Sequence, residues 1–168
     1  MGPSQHPHLG PSRLRLAIIT VSDTRTAETD ASGSLARRMA EEAGHRVVGT
    51  HIVRDEPAAV RALLQVTLED REIDAILLTG GTGISPRDGT FEVVTGLLEK
   101  TLPGFGELFR ALSYQEMGSA AMLSRAVGGL ARGKVVFSVP GSPAAVELAL
   151  SKLILPELSH AAGEARKR

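Results

Sequence analysis

Apolar residues along the chain fall in short blocks separated by polar turns, and their spacing alternates between two periods. The first block, LRLAIITVS at 14–22, is continuous and rich in β-branched residues, the pattern of a buried strand entering a Ser-Asp-Thr loop. SGSLARRMAEEA at 32–43 follows with Leu35, Met39 and Ala43 at helical spacing, and Gly44 stands where a helix C-terminal glycine belongs. Residues 45–53 predict a second strand, and 56–70 a second helix with Val60, Leu63, Leu64 and Thr67 on one face. A third strand is expected at 75–79, helices at 91–98 and 104–114, a fourth strand at 135–139, and a helix opening on proline at 143–155. This alternation predicts an α/β fold: a three-layer domain whose mainly parallel sheet is flanked by helices. It would fill residues 14–168 as a single domain, after a Pro-, Gly- and His-rich tail at 1–13 that is expected to be disordered.

In an open α/β sheet, ligands bind beyond the carboxyl ends of the strands. The residues just after each predicted strand are therefore the informative ones. They are Ser22-Asp23-Thr24, Asp55-Glu56-Pro57, Gly80-Gly81-Thr82-Gly83 and Pro140-Gly141-Ser142-Pro143. Four loops on one rim would supply backbone N–H groups, hydroxyls and carboxylates.

Composition narrows what such a rim could hold. Nineteen basic residues balance nineteen acidic ones, so no global field exists to hold nucleic acid or an anionic membrane, and neither is an expected partner. The chain contains no cysteine, which excludes thiolate chemistry and disulfides and fits a cytoplasmic location. No apolar run reaches the ~18 residues of a membrane span, and the N-terminus lacks a signal-peptide core.

The densest chemistry lies in LLTGGTGISPRDGT at 77–90, with four glycines, three threonines and an Arg-Asp pair. Glycines allow positive φ and close approach, so GGTG can present a concave array of N–H donors to an anion, or simply turn a strand into a helix. The stretch is neither a GxxxxGK[ST] loop nor a GxGxxG fingerprint. Asp55 and Asp88 each precede a predicted helix and could serve as N-caps. Alternatively, an acid beside a phosphate loop needs a cation between them, and Mg²⁺ is the natural mediator, with Asp88 its candidate ligand. Arg87 could balance Asp88 or contact a phosphate. Phe105, Phe109 and Tyr114 are expected in the core, and Gly141-Ser142-Pro143 is not a nucleophile elbow. His6, His8, His45, His51 and His160 show no metal-ligand spacing outside the tail, and Arg166-Lys167-Arg168 reads as a solvated terminus.

Four blocks carry a family resemblance: AIITVSDT at 17–24, TGGTGISPRDGT at 79–90, PGFGELFRALSYQEMGSAAMLSRAVGG at 103–129 and VPGSPAAV at 139–146. In this order and at these separations they resemble the MoaB/Mog family of molybdenum cofactor biosynthesis, from Leu14 to about Leu158. The chain is most similar to stand-alone B-type members, since a fused domain has no room. The resemblance implies a molybdopterin site and, in active members, adenylyl transfer from Mg-ATP, giving adenylyl-molybdopterin and pyrophosphate. Asp55 and Asp88 fall on the family's two catalytic acids. Ser22, Asp23, Thr79, Gly80, Gly81, Thr82, Gly83, Ser113, Pro140, Gly141 and Ser142 fall on its substrate-binding positions. Some B-type members have lost an acid and are inactive; this chain keeps both, which points to an active adenylyltransferase. The alternative is a non-catalytic molybdopterin carrier or pathway scaffold; a sugar-nucleotide or nicotinamide-processing enzyme is a third reading. The family further implies a homotrimer or homohexamer and partners within the same pathway.

Overall fold

The computed structural model describes residues 10–167, so most of the expected tail, with His6 and His8, lies outside the described residues, as does Arg168. Six strands form one sheet in the order β2-β1-β3-β6-β5-β4. β1 (Arg15–Val21), β2 (Arg46–Val53), β3 (Ala75–Thr79) and β6 (Lys134–Val139) are parallel. β5 (Val127–Ala131) runs antiparallel to β6, and the two-residue β4 (Lys100–Thr101) antiparallel to β5. The mainly parallel three-layer architecture is as the alternation of patterns predicts.

Side-chain alternation along the strands assigns the layers. Leu16 and Ile18 of β1, with Leu77, Val135 and Phe137, meet α1 (Ala31–Glu42), α4 (Pro103–Met117), α5 (Pro143–Ala149) and α6 (Leu155–Ala165) on one face. Ala17, Ile19 and Val21, with Ile76, Leu78 and Val136, meet α2 (Pro57–Glu69) and α3 (Thr90–Leu97) on the other. Burial of a leucine or isoleucine of this kind contributes about 1.5–3 kcal/mol, which fixes the sheet as the rigid base of its loops.

Several expectations shift. In α1 the buried stripe is Ser32, Gly33, Ala36 and Ala40, while Leu35 and Met39 flank it and Ala43 is exposed. Small residues face the sheet there because α1 also packs against α5. The helix expected at 143–155 continues to Ala165. A wide π-type turn at Leu150–Ile154 joins α5 to α6 just before Pro156, where an α-helical hydrogen bond could not form.

Strands β4 and β5 were not expected. VGGLA carries two glycines because a Cβ on Gly128 would stand 2.7 Å from the Phe137 ring. The sequence does hold a hairpin signal: Arg132 (φ 49°) and Gly133 (φ 72°) form a two-residue positive-φ turn between β5 and β6. Phe105 and Phe109 are core residues, with ring centroids 6.2 Å apart, whereas Tyr114 is exposed. Arg166 is no solvated end: it pairs with the buried Asp74, docking the end of α6 against the start of β3.

Candidate functional site

β3 delivers the chain straight into the glycine loop. Gly81 sits at φ +66°, and a Cβ there would lie 2.1 Å from Thr90 Oγ1 and 3.1 Å from Asp55 Oδ1. Only glycine lets the loop pass between the start of α3 and the loop after β2. At the end of β3, Thr79 donates its hydroxyl to the Pro140 carbonyl at 3.0 Å, which ties the Pro140-Gly141-Ser142 loop after the neighbouring β6 to β3.

These loops wall a cavity of about 420 Å³. Gly80, Gly81, Thr82, Gly83, Asp88, Ser113, Pro140, Gly141 and Ser142 line it, so nine of the sequence-predicted residues converge on one space. The opposite wall is apolar, built by Phe109, Met117, Leu123 and Leu148 from α4, the 3₁₀ turn after it and α5. Such a cavity, apolar on one side and rich in backbone groups on the other, has the make-up of a small-molecule site. Ser113 is buried and donates to the Phe109 carbonyl at 2.8 Å, so its hydroxyl serves its own helix. The Ser142 hydroxyl caps α5 by accepting the Ala145 N–H at 3.2 Å.

Four predicted residues do not line this cavity: Asp55, which lies behind the glycine loop beside Gly81, and Thr79, Ser22 and Asp23. Thr79 is fully buried and acts on the Pro140 carbonyl instead. Ser22 accepts the N–H groups of Thr24 and Arg25, shaping its own loop. Asp23 accepts the Asp55 N–H at 3.2 Å and pairs with Arg87 at 2.6 Å, so it braces the acidic residues from outside the cavity wall.

The two acids are not N-caps. Glu56 is the N-cap residue of α2 and Gly89 that of α3, neither with a side-chain cap bond. Asp88 instead accepts the Ser85 N–H at 2.9 Å, and its carboxylate faces Gly83, where a Cβ would stand 2.7 Å from Oδ2. Asp55 Oδ1 is buried and has no hydrogen-bond partner among the described residues. Desolvation raises the Asp55 carboxyl above its ordinary range; the charges of Asp88 and Asp23 raise it further, against a lowering contribution from Arg87. Three aspartates thus crowd the edge of the glycine loop.

Sequence reasoning missed the residues that hold the rim loops in place. Arg25 donates to the Gly141 carbonyl at 2.8 Å and Ser32 donates to the same oxygen at 2.7 Å. Asp30 anchors this corner, capping α1 and accepting the Thr20 hydroxyl at 2.6 Å. Arg125 grips the glycine loop from the other side. No local pattern marks any of these, because the carbonyls that Arg25, Ser32 and Arg125 hold lie 116, 109 and 42 positions away.

Among the described residues no helix is long and apolar enough to cross a membrane. A family model described as a probable molybdopterin binding domain matches residues 17–160. The chain is 51% identical over 168 residues to molybdenum cofactor biosynthesis protein B of Bacillus subtilis (strain 168), covering 99% of each chain. Its fold matches a crystal structure of a molybdenum cofactor biosynthesis protein B with a TM-score of 0.91, at 50% identity over 94% of this chain and 99% of that one. MoaB of Pyrococcus furiosus, described as tungsten cofactor synthesizing, matches with a TM-score of 0.84 at 38% identity, over 94% of this chain and 99% of that one.

Proposed function

The chain belongs to the molybdenum cofactor biosynthesis family typified by protein B, and from that premise we propose that it is a molybdopterin adenylyltransferase. It binds molybdopterin in the 420 Å³ cavity and transfers AMP from Mg-ATP to the terminal phosphate, giving adenylyl-molybdopterin and pyrophosphate. One observation carries this reading: Asp55 and Asp88 are close enough to repel each other at the edge of the glycine loop, and one oxygen of Asp55 is buried without a partner among the described residues. A protein that merely turned a strand into a helix would have no use for such an arrangement. Uncompensated like charges are unfavourable unless a ligand relieves them.

The donor set fits Mg²⁺. Among the described residues no three His, Asp or Glu side chains form a metal cage by themselves. Mg²⁺ needs none, since it keeps waters and takes one or two carboxylates plus substrate phosphates. Asp55 and Asp88 would hold the ion, which supplies charge neutralisation between carboxylates and phosphates when bound. The attacking group is a phosphate oxygen that is already anionic, so no general base is required. The loop's work is positioning: N–H groups at 82–84 face phosphate oxygens, and the apolar wall seats the pterin. Closing Arg25 and Ser32 onto Gly141 fixes the second loop at the same cavity.

The test is direct. Purified protein incubated with molybdopterin and Mg-ATP should form adenylyl-molybdopterin, and the Asp88→Asn variant should not. Pterin binding by calorimetry without any product above that variant would leave the chain a carrier in the same pathway.

A further inference from the structure

Arg125 follows the 3₁₀ turn after α4 and points back at the glycine loop from the side away from the main cavity. Its Nε donates to the Gly83 carbonyl at 2.9 Å, and one terminal nitrogen donates to the Asp88 carbonyl at 2.9 Å. Its own main-chain N–H donates to the Thr82 carbonyl at 3.2 Å. The other terminal nitrogen pairs with Glu92 of α3, and the guanidinium lies 5.1 Å above the Phe91 ring. The Gly81 carbonyl is taken by the Thr90 N–H at 3.2 Å.

Three consecutive carbonyls, at 81, 82 and 83, are therefore held, the first by Thr90 of α3 and the other two by Arg125. Every peptide bond described is trans, so the C=O of one residue and the N–H of the next point in opposite directions. The N–H groups of Gly83 and Ile84 are thus turned away from Arg125 and that of Thr82 away from Thr90, and among the described residues none finds an acceptor. We propose that Arg125 is a positioning residue for phosphate recognition: by holding the Gly83 and Asp88 carbonyls it presets the loop's N–H donors and the main chain of Asp88 toward the cavity. This role rests on the reading that the loop binds phosphate oxygens.

The chemistry calls for arginine in particular. A guanidinium presents a planar fork of five donors and can hold two carbonyls and a carboxylate at once; a lysine ammonium is a point charge on a flexible stem. Without the fork, both carbonyls are free to rotate, and each rotation swings an N–H away from the ligand. The loop would then have to be ordered at the moment of binding, which weakens affinity without removing any direct contact.

The test uses the full chain, with magnesium pyrophosphate as the probe in calorimetry and the ¹⁵N-resolved amide shifts of Gly83 and Ile84 as a structural readout. The wild-type chain should bind the probe. Arg125→Lys and Arg125→Ala should each bind it roughly tenfold more weakly, with both amide signals displaced before ligand is added. Guanidinium ion added to Arg125→Ala should recover part of the affinity. Glu92→Gln, which loses the ion pair and keeps the carbonyl contacts, should bind like the wild type. Wild-type affinity in Arg125→Lys, or an equal loss in Glu92→Gln, would overturn the positioning role while leaving the phosphate site intact. No binding by the wild-type chain would overturn the phosphate reading itself and this role with it.

Discussion

Arg87 pairs with Asp23, 2.6 Å across the rim, and not with Asp88 beside it in the chain. The bond joins the loop after β1 to the glycine loop and places a positive charge near Asp55, whose carboxyl it lowers against the push of burial and of Asp88 and Asp23. Truncating Arg87 to alanine should therefore raise the Asp55 pKa further. Side-chain carboxyl ¹³C titration of the two proteins would read the change, and an unmoved Asp55 would show that Arg87 is only a surface charge.

The opposite change follows from Asp88. In Asp88→Asn the amide oxygen can still accept the Ser85 N–H, but the negative charge beside Asp55 is gone. The Asp55 pKa should fall toward its ordinary value. Because the folded pKa lies above the unfolded one, the native state holds the extra proton, and stability declines as pH rises from 3.8 through the folded value. At pH 7 the variant escapes the part of this penalty that Asp88 contributes, while burial and Asp23 still raise the Asp55 carboxyl, and it should equal or exceed the wild type in stability, by up to about 1 kcal/mol after solvent screening. Product formation should be lost at the same time. A variant that is both inactive and clearly destabilised would assign Asp88 a structural role.

Gly81 allows a prediction from sterics alone. A methyl group there meets Thr90 Oγ1 at 2.1 Å and is attached to a backbone at φ +66°, so the loop has to move. Gly81→Ala should cost roughly 1–3 kcal/mol in denaturant unfolding and abolish pyrophosphate binding. Retained affinity would mean that the loop has a second conformation competent to bind.

Much of this site is legible in the sequence because each rim loop follows a strand whose apolar run ends sharply, as Leu78-Thr79 gives way to Gly80-Gly81. That arrangement, with the four ordered blocks, identifies the nine cavity-lining residues and the family. What stayed hidden depends on long-range contacts. Arg125 looks like any surface arginine until the fold brings Gly83 and Asp88 against it. Likewise Thr79 looks like a rim hydroxyl, but the adjacent β6 turns it toward Pro140. Strand β5 escaped because its two glycines suppress the β-propensity that a pattern search relies on, although packing against Phe137 and Lys100 requires them.

At the far end of the sheet, Asp74 separates stability from function. Burial pushes its carboxyl up, but hydrogen bonds from the Arg15 side chain and main chain, with the charges of Arg166 and Arg15, outweigh burial and hold it below the usual carboxylate range. The depressed pKa means that this contribution is present above pH 3.8 and is lost as pH falls through the folded value. Asp74→Asn retains shape but loses the charge that gathers Arg15 and Arg166, and the start of β1 and the end of α6 lose their common anchor. A loss of about 2 kcal/mol is expected at pH 7, as for hydrogen bonds to a buried charged group. The deficit relative to wild type should shrink as pH falls below 3.8, because the wild-type aspartate then protonates too. Since Asp74 lies at the opposite strand ends from the cavity, pyrophosphate affinity at pH 7 should match the wild type wherever the variant is folded. A matching loss of affinity would mean that the two ends of the sheet are coupled.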